Sequence, residues 1–192
     1  MKSVTVRPHL LFAILLGPSS GYAGQFFAGY ELGEMALNRF RHFAGEAGYV
    51  FENRQAVRVS IMNVALSERH LSSSEASAVN GNNVEGRWRG LDVYFDFPVF
   101  SNFYLSPSIG YHDTQYTHTI LNESVTHNSG SAGVALSYVG NDVLGFTQLY
   151  WRLSLTYKYF FNSQSDASLG DTMINGGSSE FVPLLFIGHR FR

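Results

Sequence analysis

Residues 145–161, GFTQLYWRLSLTYKYFF, constrain the fold of this chain more than any other stretch. The odd positions from 147 onward carry Thr, Leu, Trp, Leu, Leu, Tyr, Tyr and Phe, and the even positions include Gln148, Arg152, Ser154, Thr156 and Lys158. A helix cannot place residues of period two on one face, whereas a β-strand points successive side chains to opposite faces. The run of about sixteen residues exceeds the usual strand of about five or six residues. It suits a tilted transmembrane strand of ~9–11 residues with an extension beyond the bilayer.

The same alternation recurs elsewhere, and the sequence therefore predicts eight strands in all. The other segments are 25–36, 43–51, 56–66, 87–97, 103–118, 130–139 and 180–191. Within 56–66 the apolar phase changes near Asn63, which predicts a β-bulge at that point. The two faces of the last segment are the least distinct.

The connections between the predicted strands alternate in length. Residues 52–55, 98–102 and 140–144 form short turns, and the first connection, around 38–42, is short as well. The other connections are longer and polar, and they cover 67–86, 120–129 and 162–180. Short turns at one end and longer loops at the other are typical of an outer-membrane barrel, in which both termini and the short turns lie on the periplasmic side.

The composition helps to separate a barrel in lipid from a barrel in water. A secreted barrel of the lipocalin type shows the same alternation, but with its apolar face turned inward. Charged residues make up only 15% of the chain, and the polar faces hold mainly Gly, Ser, Thr and Tyr, as expected for the interior of a narrow barrel. Aromatic residues cluster toward strand ends, as an interfacial girdle requires. We therefore expect an all-β, eight-stranded antiparallel up-and-down transmembrane β-barrel, with the water-soluble barrel as the alternative.

The N-terminal segment predicts export. Lys2 and Arg7 precede an apolar run from Leu10 to Leu16, and small residues follow as far as Ala23. This is the pattern of a secretory signal peptide, and the run is too short to span a bilayer. We expect a signal peptide at 1–23, a barrel domain at 24–192 and a location in the bacterial outer membrane. The absence of cysteine excludes disulfides and thiol chemistry, and the net charge of -2 gives no indication of a nucleic-acid partner.

The last nine residues, LLFIGHRFR, are explained by closure of the sheet. In hydrocarbon every backbone polar group must be paired within the protein, so the last strand must meet the first. Leu185, Ile187 and Phe191 are then expected to face lipid. The ending formed by Ile187, Gly188, His189 and Phe191 resembles the C-terminal signature of bacterial outer-membrane barrels that the barrel-assembly machinery recognises. His189 stands where Tyr or Phe is usual, and Arg192 follows the normally terminal Phe.

With the signal peptide and eight alternating strands, the whole mature chain resembles the superfamily of small outer-membrane barrels of the OmpX/Ail, OmpA and OmpW types. An eight-stranded barrel holds side chains but hardly a channel. Charged side chains that the alternation turns inward are expected to form a salt-bridge network that plugs the lumen, because buried charges persist only when paired. These residues are Glu31, Glu46, Arg58, Asp92, Asp96, Arg152, Lys158 and Arg190. Arg58 and Asp96 lie on neighbouring strands at similar depth and could pair. A narrow gated polar path is the alternative.

A second basic set falls at the predicted extracellular ends of the first four strands. It comprises Arg39, Arg41, Arg69, Arg87 and Arg89, with His42 and His70 close by. Because arginine matches phosphate geometry, we hypothesise that this rim contacts lipopolysaccharide. Ordinary solvated loop charges are the alternative.

No motif indicates catalysis, a cofactor or a metal. A lipid A-modifying hydrolase of this superfamily uses a His-x-Ser pair with a Glu, and His112 is followed two places on by Thr114 instead. His112 and His118 would lie roughly 20 Å apart along a strand, too far for one metal ion. We therefore expect no enzyme and no cofactor. The expected role is structural, or one of surface interaction with a host ligand or lipopolysaccharide through the extracellular loops. Expected partners are outer-membrane lipids, lipopolysaccharide and the barrel-assembly machinery. The alternatives are a narrow channel or transporter and, third, a lipid A-modifying hydrolase or acyltransferase.

Overall fold

A computed structural model of the chain describes residues 24–37, 42–65, 84–161, 167–170, 172–174 and 178–191. Eight long strands form a closed antiparallel barrel in which each strand pairs with its neighbours in the chain and the last pairs with the first. The barrel strands are β1 Gln25–Glu31, β2 His42–Val50, β3 Ala56–Ala65, β4 Val84–Phe100, β5 Phe103–His118, β6 Ser124–Val143, β7 Phe146–Phe160 and β10 Ser179–Phe191. The predicted eight-stranded barrel is confirmed.

Two smaller elements are not part of the barrel sheet. A short helix, α1 (Gly33–Leu37), follows β1, and a two-stranded hairpin of β8 (Ala167–Leu169) and β9 (Thr172–Ile174) lies in the connection between β7 and β10. In the described part of the chain, no helix has both the length and the apolar character needed to cross a membrane.

Closure occurs between β1 and β10, as the C-terminal pattern predicts. Their register runs from Phe26 opposite Phe191 to Glu31 opposite Phe186, with Gly29 opposite Gly188. The two terminal strands therefore pair within the same sheet, which leaves no open edge along the seam.

The alternation in the sequence becomes an inside and an outside in the barrel. On β4, Asp92 and Asp96 are buried, whereas Leu91, Val93 and Phe97 are exposed on the outer surface. The same division holds along β7, where alternate residues from Arg152 to Lys158 are buried and the residues between them are exposed. The exposed face is apolar, which is the arrangement expected of a barrel in lipid.

The predicted bulge at Asn63 is wrong. β3 keeps an unbroken register with β2 and β4 through this residue, which lies opposite Phe43 and Arg89. Met62 and Val64 point inward and are almost fully buried, and Asn63 points outward. The apolar phase changes because the interior becomes apolar at this level, although the strand itself does not change phase.

The predicted first strand, 25–36, is too long. β1 ends at Glu31, and α1 begins two residues later. The Glu31 carboxylate accepts hydrogen bonds from the backbone N–H of Met35 and of Leu185, at 3.2 and 3.1 Å, and Leu32 N–H donates to the Leu185 carbonyl at 2.7 Å. The chain therefore turns into the helix because Glu31 holds it against β10.

Two predicted strands are too short, and strand occurs within all three predicted loops, since 162–180 contains β8 and β9, and within the predicted turns at 98–100 and 140–143. β4 and β6 contain 17 and 20 residues, and they include residues 84–86 and 124–129, which the sequence pattern assigned to loops. β6 continues beyond its pairing with β7, which stops at Ser131 opposite Phe160. This extension is largely polar, so the apolar-to-polar contrast that marks a strand in lipid is missing there.

The two ends of the barrel differ as predicted. The turns at 51–55, 101–102 and 144–145 lie at one end of the barrel, together with the start of β1 and the end of β10. We call this the short-turn end. The longer connections share the opposite end, which we call the loop end. At the short-turn end, Arg54, Ser101 and Leu144 all adopt left-handed backbone conformations, with φ of 67°, 46° and 53°.

Candidate functional site: the charged barrel interior

Four charged side chains from four strands form a single layer across the lumen, which we call the ionic layer. Arg58 Nε lies 3.1 Å from both carboxylate oxygens of Asp96, and Arg58 Nη1 lies 3.4 Å from Glu46 Oε2. Arg152 completes the ring, with Nε 3.1 Å from Glu46 Oε1 and Nη1 2.9 Å from Asp96 Oδ2. Each acid therefore contacts both arginines. The four formal charges cancel, which is the condition for burying them.

Aromatic side chains surround the ionic layer. The Tyr150 hydroxyl donates a hydrogen bond to Glu46 at 2.9 Å. The Arg58 guanidinium lies 3.7 Å from the centre of the Tyr94 ring, a distance that allows a cation–π interaction. Tyr94 and Tyr150 are each 1% exposed. They fill the space that the four charged groups leave.

A second polar group, the His112 cluster, lies nearer the loop end. Lys158 Nζ donates to Asp92 Oδ2 at 2.5 Å, and His112 Nε2 lies 3.0 Å from Asp92 Oδ1 and 3.1 Å from Ser131 Oγ. The imidazole stacks on Trp88, with ring centres 5.3 Å apart at 15°. Asp92 thus shares its two oxygens between a cation and an imidazole.

The His112 cluster does not have the geometry of a serine hydrolase. In a catalytic triad the base contacts the nucleophile through one ring nitrogen and the orienting carboxylate through the other. Here Nε2 of His112 contacts both Ser131 and Asp92, and the imidazole is buried inside the wall. Within the described ranges there is also no group of three or more His, Asp or Glu side chains placed to hold a metal ion.

Above the polar groups the lumen is filled by apolar side chains, which we call the apolar plug. The plug consists of Ala44, Met62, Val64, Trp88, Val182, Leu184 and Phe186, and none of them is more than 9% exposed. On its loop-end side, Glu31 and His42 lie 3.6 Å apart and are both buried. The sequence placed His42 with the external basic rim, and this is wrong: the side chain points into the barrel because it begins β2 in the inward phase.

Seven of the eight charges expected in the lumen are buried there, but they do not form one continuous network. Glu46, Arg58, Asp96 and Arg152 belong to the ionic layer, Asp92 and Lys158 belong to the His112 cluster, and Glu31 caps α1. Arg190 is half-buried, and its guanidinium lies 5.6 Å from the centre of the Tyr150 ring. Among the described residues no carboxylate pairs with Arg190.

The external arginines are only partly described. Arg87 and Arg89 lie on the outer surface of β4, and Arg89 Nη1 is 3.7 Å from Asp113 Oδ2 on β5. The two side chains of this pair are 48% and 27% exposed, so their interaction contributes little to stability. Outside the described residues lie Arg39, Arg41, Arg69 and His70.

The C-terminal motif serves closure of the barrel. A Cβ atom built on Gly188 would lie 2.3 Å from the Ala28 carbonyl oxygen and 2.5 Å from Tyr150 Cε1. Tyr150 therefore crosses the seam on the surface that a side chain at Gly188 would occupy. His189 Nε2 lies 3.0 Å from Gln148 Oε1, and the His189 and Phe191 rings pack 4.8 Å apart. Recognition of this ending by the assembly machinery stays a prediction.

Several residues of the interior were missed by the sequence reasoning. Tyr94, Tyr150 and Trp88 lie against the buried charges. Ser131 contacts His112. The sequence pattern predicted only charged residues for the lumen network. The signal was present, since Tyr94 shares the inward phase of β4 with Asp92, and Tyr150 shares that of β7 with Arg152. Which strands bring these phases together at one depth depends on the register, which the sequence pattern does not specify.

Comparison with known proteins identifies the fold. No family model and no curated protein matches the sequence. A major outer membrane protein from Thermus thermophilus superposes with a TM-score of 0.56 at 14% identity, over 88% of this chain and 100% of that one. Ail of Yersinia pestis, in a phospholipid bilayer nanodisc, gives 0.45 at 16% identity over 89% and 100% of the two chains. For the N-terminal barrel of Pseudomonas aeruginosa OprF the values are 0.42, 14%, 90% and 100%. The chain has the fold of the small eight-stranded β-barrels of bacterial outer membranes.

Proposed function

We propose that this chain is an integral outer-membrane protein with a sealed lumen, and that it acts as a structural and surface-interaction barrel. The single observation that carries the proposal is the division of its side chains: an apolar outer belt surrounds a lumen closed by the ionic layer and the apolar plug. The apolar outer belt requires lipid around the barrel, and the closed lumen leaves little room for transport.

The height of the outer belt matches a bilayer. On β5 the outward residues from Phe103 to Tyr111 are apolar, which is about eight rises of ~3.3 Å, or roughly 26 Å along the strand. At a strand tilt of ~40° this gives roughly 20 Å along the barrel axis, close to the ~25 Å band of outer-membrane barrels. Aromatic side chains lie toward both ends, with Phe103 and Phe146 near the short turns and Tyr159 and Phe181 near the loops.

The upper edge of the belt is sharp. Leu91 on β4 pairs with Tyr111 on β5, and the next outward pair toward the loops is Arg89 with Asp113. Arg87 follows on the same face. These two arginines therefore lie immediately above the apolar belt, and in the proposed orientation they would meet the phosphates of lipopolysaccharide. This position supports lipopolysaccharide contact by the described part of the basic rim.

The loop end offers a structured surface beyond the belt. The extended parts of β4, β5 and β6 enclose a small core of their own, in which Val84 and Tyr116 pack with Leu169 from β8. Leu169 is 1% exposed, so the β8–β9 hairpin folds down onto the extension. An ordered platform of this kind suits contact with a surface or host ligand, and it supports interaction rather than transport as the function.

Membrane insertion is tested first. Purified protein is expected to require detergent for monodispersity, to fractionate with outer membranes, and to migrate as a compact band on gels unless heated. Monodisperse behaviour in plain buffer would overturn the membrane assignment.

Sealing is tested by conductance in planar bilayers. We expect no steady conductance from the wild-type protein, because the ionic layer and the apolar plug close the lumen at two levels. Reproducible single-channel steps from the refolded protein would favour the alternative of a narrow channel.

Lipopolysaccharide contact is tested with the double variant Arg87→Gln/Arg89→Gln. Its affinity for lipopolysaccharide in neutral detergent is expected to fall by about tenfold, since two charge-assisted contacts are lost and each is weakened by its exposure to water. Gln115→Ala, an uncharged change on the same outer face, serves as the matched control. Equal affinity of the double variant and the wild type would remove the arginine rim from the proposal.

A further inference from the structure

A cavity of about 310 Å³ opens at the short-turn end of the lumen, below the ionic layer. Arg54, Arg152 and Arg190 line it together with Asp96 of the ionic layer and the polar side chains of Gln25, Asn102 and Asn141. The apolar plug lies on the far side of the ionic layer, so this cavity is a dead-end vestibule. Its lining is rich in hydrogen-bond donors.

The positive charge of the vestibule is only partly balanced. In the ionic layer Arg152 is neutralised by Glu46 and Asp96. Arg190 has no ion-pair partner among the described residues, and the partner that the structure gives to Arg54 is the neutral carbonyl of Ser101. The described lining therefore carries two guanidinium charges in excess. A guanidinium presents several N–H donors in a planar fork that matches carboxylate and phosphate oxygens.

Arg54 occupies a backbone conformation that favours glycine. It closes the 51–55 hairpin turn with φ of 67°, a left-handed conformation that glycine adopts without strain. Arg54 N–H donates to the Phe51 carbonyl at 3.0 Å, and the Arg54 side chain reaches across to the neighbouring turn at Ser101. An arginine at this position places its guanidinium at the mouth of the vestibule, which a glycine would leave open.

We propose that this vestibule is an oxyanion-binding site, with Arg54 and Arg190 as the residues that bind a phosphate or carboxylate group. The ligand enters along the barrel axis from the compartment that faces the short turns. In the orientation predicted from the lengths of the connections, this compartment is the periplasm. Membrane lipids do not reach the site sideways, because the inward residues that line it, such as Ala56 and Val139, lie behind a continuous wall of paired strands. The site therefore selects a water-soluble anion or an anionic group of a periplasmic polymer.

The proposal is tested on full-length protein refolded in a maltoside detergent, which contributes no phosphate of its own. Inorganic phosphate and succinate are titrated separately against chloride at constant ionic strength, with NMR detection of arginine Nε–Hε and backbone amide signals. We expect saturable shifts confined to Arg54, Arg190 and the neighbouring turns. The probe that binds more tightly identifies phosphate or carboxylate as the preferred group.

Single variants assign the contacts. Arg190→Gln and Arg54→Gln are each expected to weaken binding by about tenfold, the loss of one charge-assisted interaction, and Arg190→Lys should retain part of it. Gln115→Ala, which changes a polar side chain at the opposite end of the barrel, is expected to leave binding unchanged. Heat-modifiable gel migration verifies that each variant is folded.

Two results would overturn the proposal: the absence of saturable shifts with either probe, or shifts that persist unchanged in both Arg54→Gln and Arg190→Gln. Because the titration uses purified protein, it does not depend on where the barrel resides or which way it faces. A failure of the outer-membrane assignment would instead appear in the fractionation experiment.

Discussion

The ionic layer makes a quantitative prediction about barrel stability. In Glu46→Gln, the layer keeps both arginines but has one acid left, so one positive charge is uncompensated in the lumen. Glu46 accepts one contact each from Arg58, Arg152 and Tyr150. The two contacts from arginine join opposite charges, and at ~1.5–3 kcal/mol each their loss sums to about 3–6 kcal/mol. This agrees with the ~3–5 kcal/mol that breaking a buried ion pair usually costs.

The partner variant completes a double-mutant cycle. Arg152→Gln removes the contacts to Glu46 and to Asp96, and it leaves a net negative layer. We expect a similar loss of stability. The double variant Glu46→Gln/Arg152→Gln is neutral again, and the free energy it loses should be at least ~2 kcal/mol smaller than the sum of the two single losses. A coupling of this size lies within the range of ~0.5–3 kcal/mol that directly interacting residues show.

The measurement is reversible urea unfolding in phospholipid vesicles, followed by the fluorescence of Trp88 and Trp151, the two tryptophans of the chain. Glu52→Gln, in an exposed turn, is the control for the change from Glu to Gln, and it should stay within ~0.5 kcal/mol of the wild type. The reasoning would be refuted if the losses of the two single variants simply add, or if Glu46→Gln costs less than ~1 kcal/mol, since the layer would then be a set of independent solvated charges.

Three further changes test other parts of the barrel. Gly188→Ala should destabilise closure by about 1–3 kcal/mol because its methyl group overlaps Tyr150, and urea unfolding would show no change if the seam could relax. Ser101→Gly should stabilise the protein by about 0.5–1 kcal/mol by relieving the left-handed strain; an unchanged or lower unfolding midpoint would contradict this. Leu169→Ala should expose the hairpin to protease without altering global unfolding, and equal rates of cleavage in variant and wild type would show that the contact with Tyr116 does not hold the hairpin.

The period of the sequence predicted the wall of the barrel well because the wall depends on one physical rule. In lipid an outward residue must be apolar, so positions such as Leu91, Val93 and Leu153 reveal both the strand and its phase. Inward polar positions such as Arg58 and Asp96 follow automatically. Closure by the final strand follows from the requirement that every backbone group be paired.

The interior was predicted less well because an inward residue is not restricted to one polarity. Met62 and Val64 are inward and apolar, and this inversion produced the false bulge. The grouping of the buried charges into an ionic layer and a separate His112 cluster depends on the depth that each strand reaches in the barrel. Strand register sets that depth, for example by placing Gly48 opposite Arg58, and alternation alone leaves register undetermined.

The loop end was the least predictable part. Above Arg89 and Asp113 the outer surface of β4 and β5 meets water, so the pattern no longer has to be apolar on that side. The strands extend into this region because backbone hydrogen bonds between them and the core around Val84 and Tyr116 stabilise them there. The helix after Glu31 has a local cause, because the Glu31 carboxylate accepts a hydrogen bond from Met35 N–H. A contact of this kind does not change the alternation of polar and apolar residues.

The wide separation in sequence of the members of the ionic layer has a consequence for how the protein is made. Glu46 and Arg152 are 106 residues apart. The charge of Glu46 on β2 is therefore neutralised by Arg152 only after β7 has joined the barrel. A half-built cylinder would present unmatched carboxylates and guanidinium groups to acyl chains. Insertion is therefore expected to be concerted, with long-range pairing limiting its rate, and partly threaded intermediates should be rare on the bilayer surface.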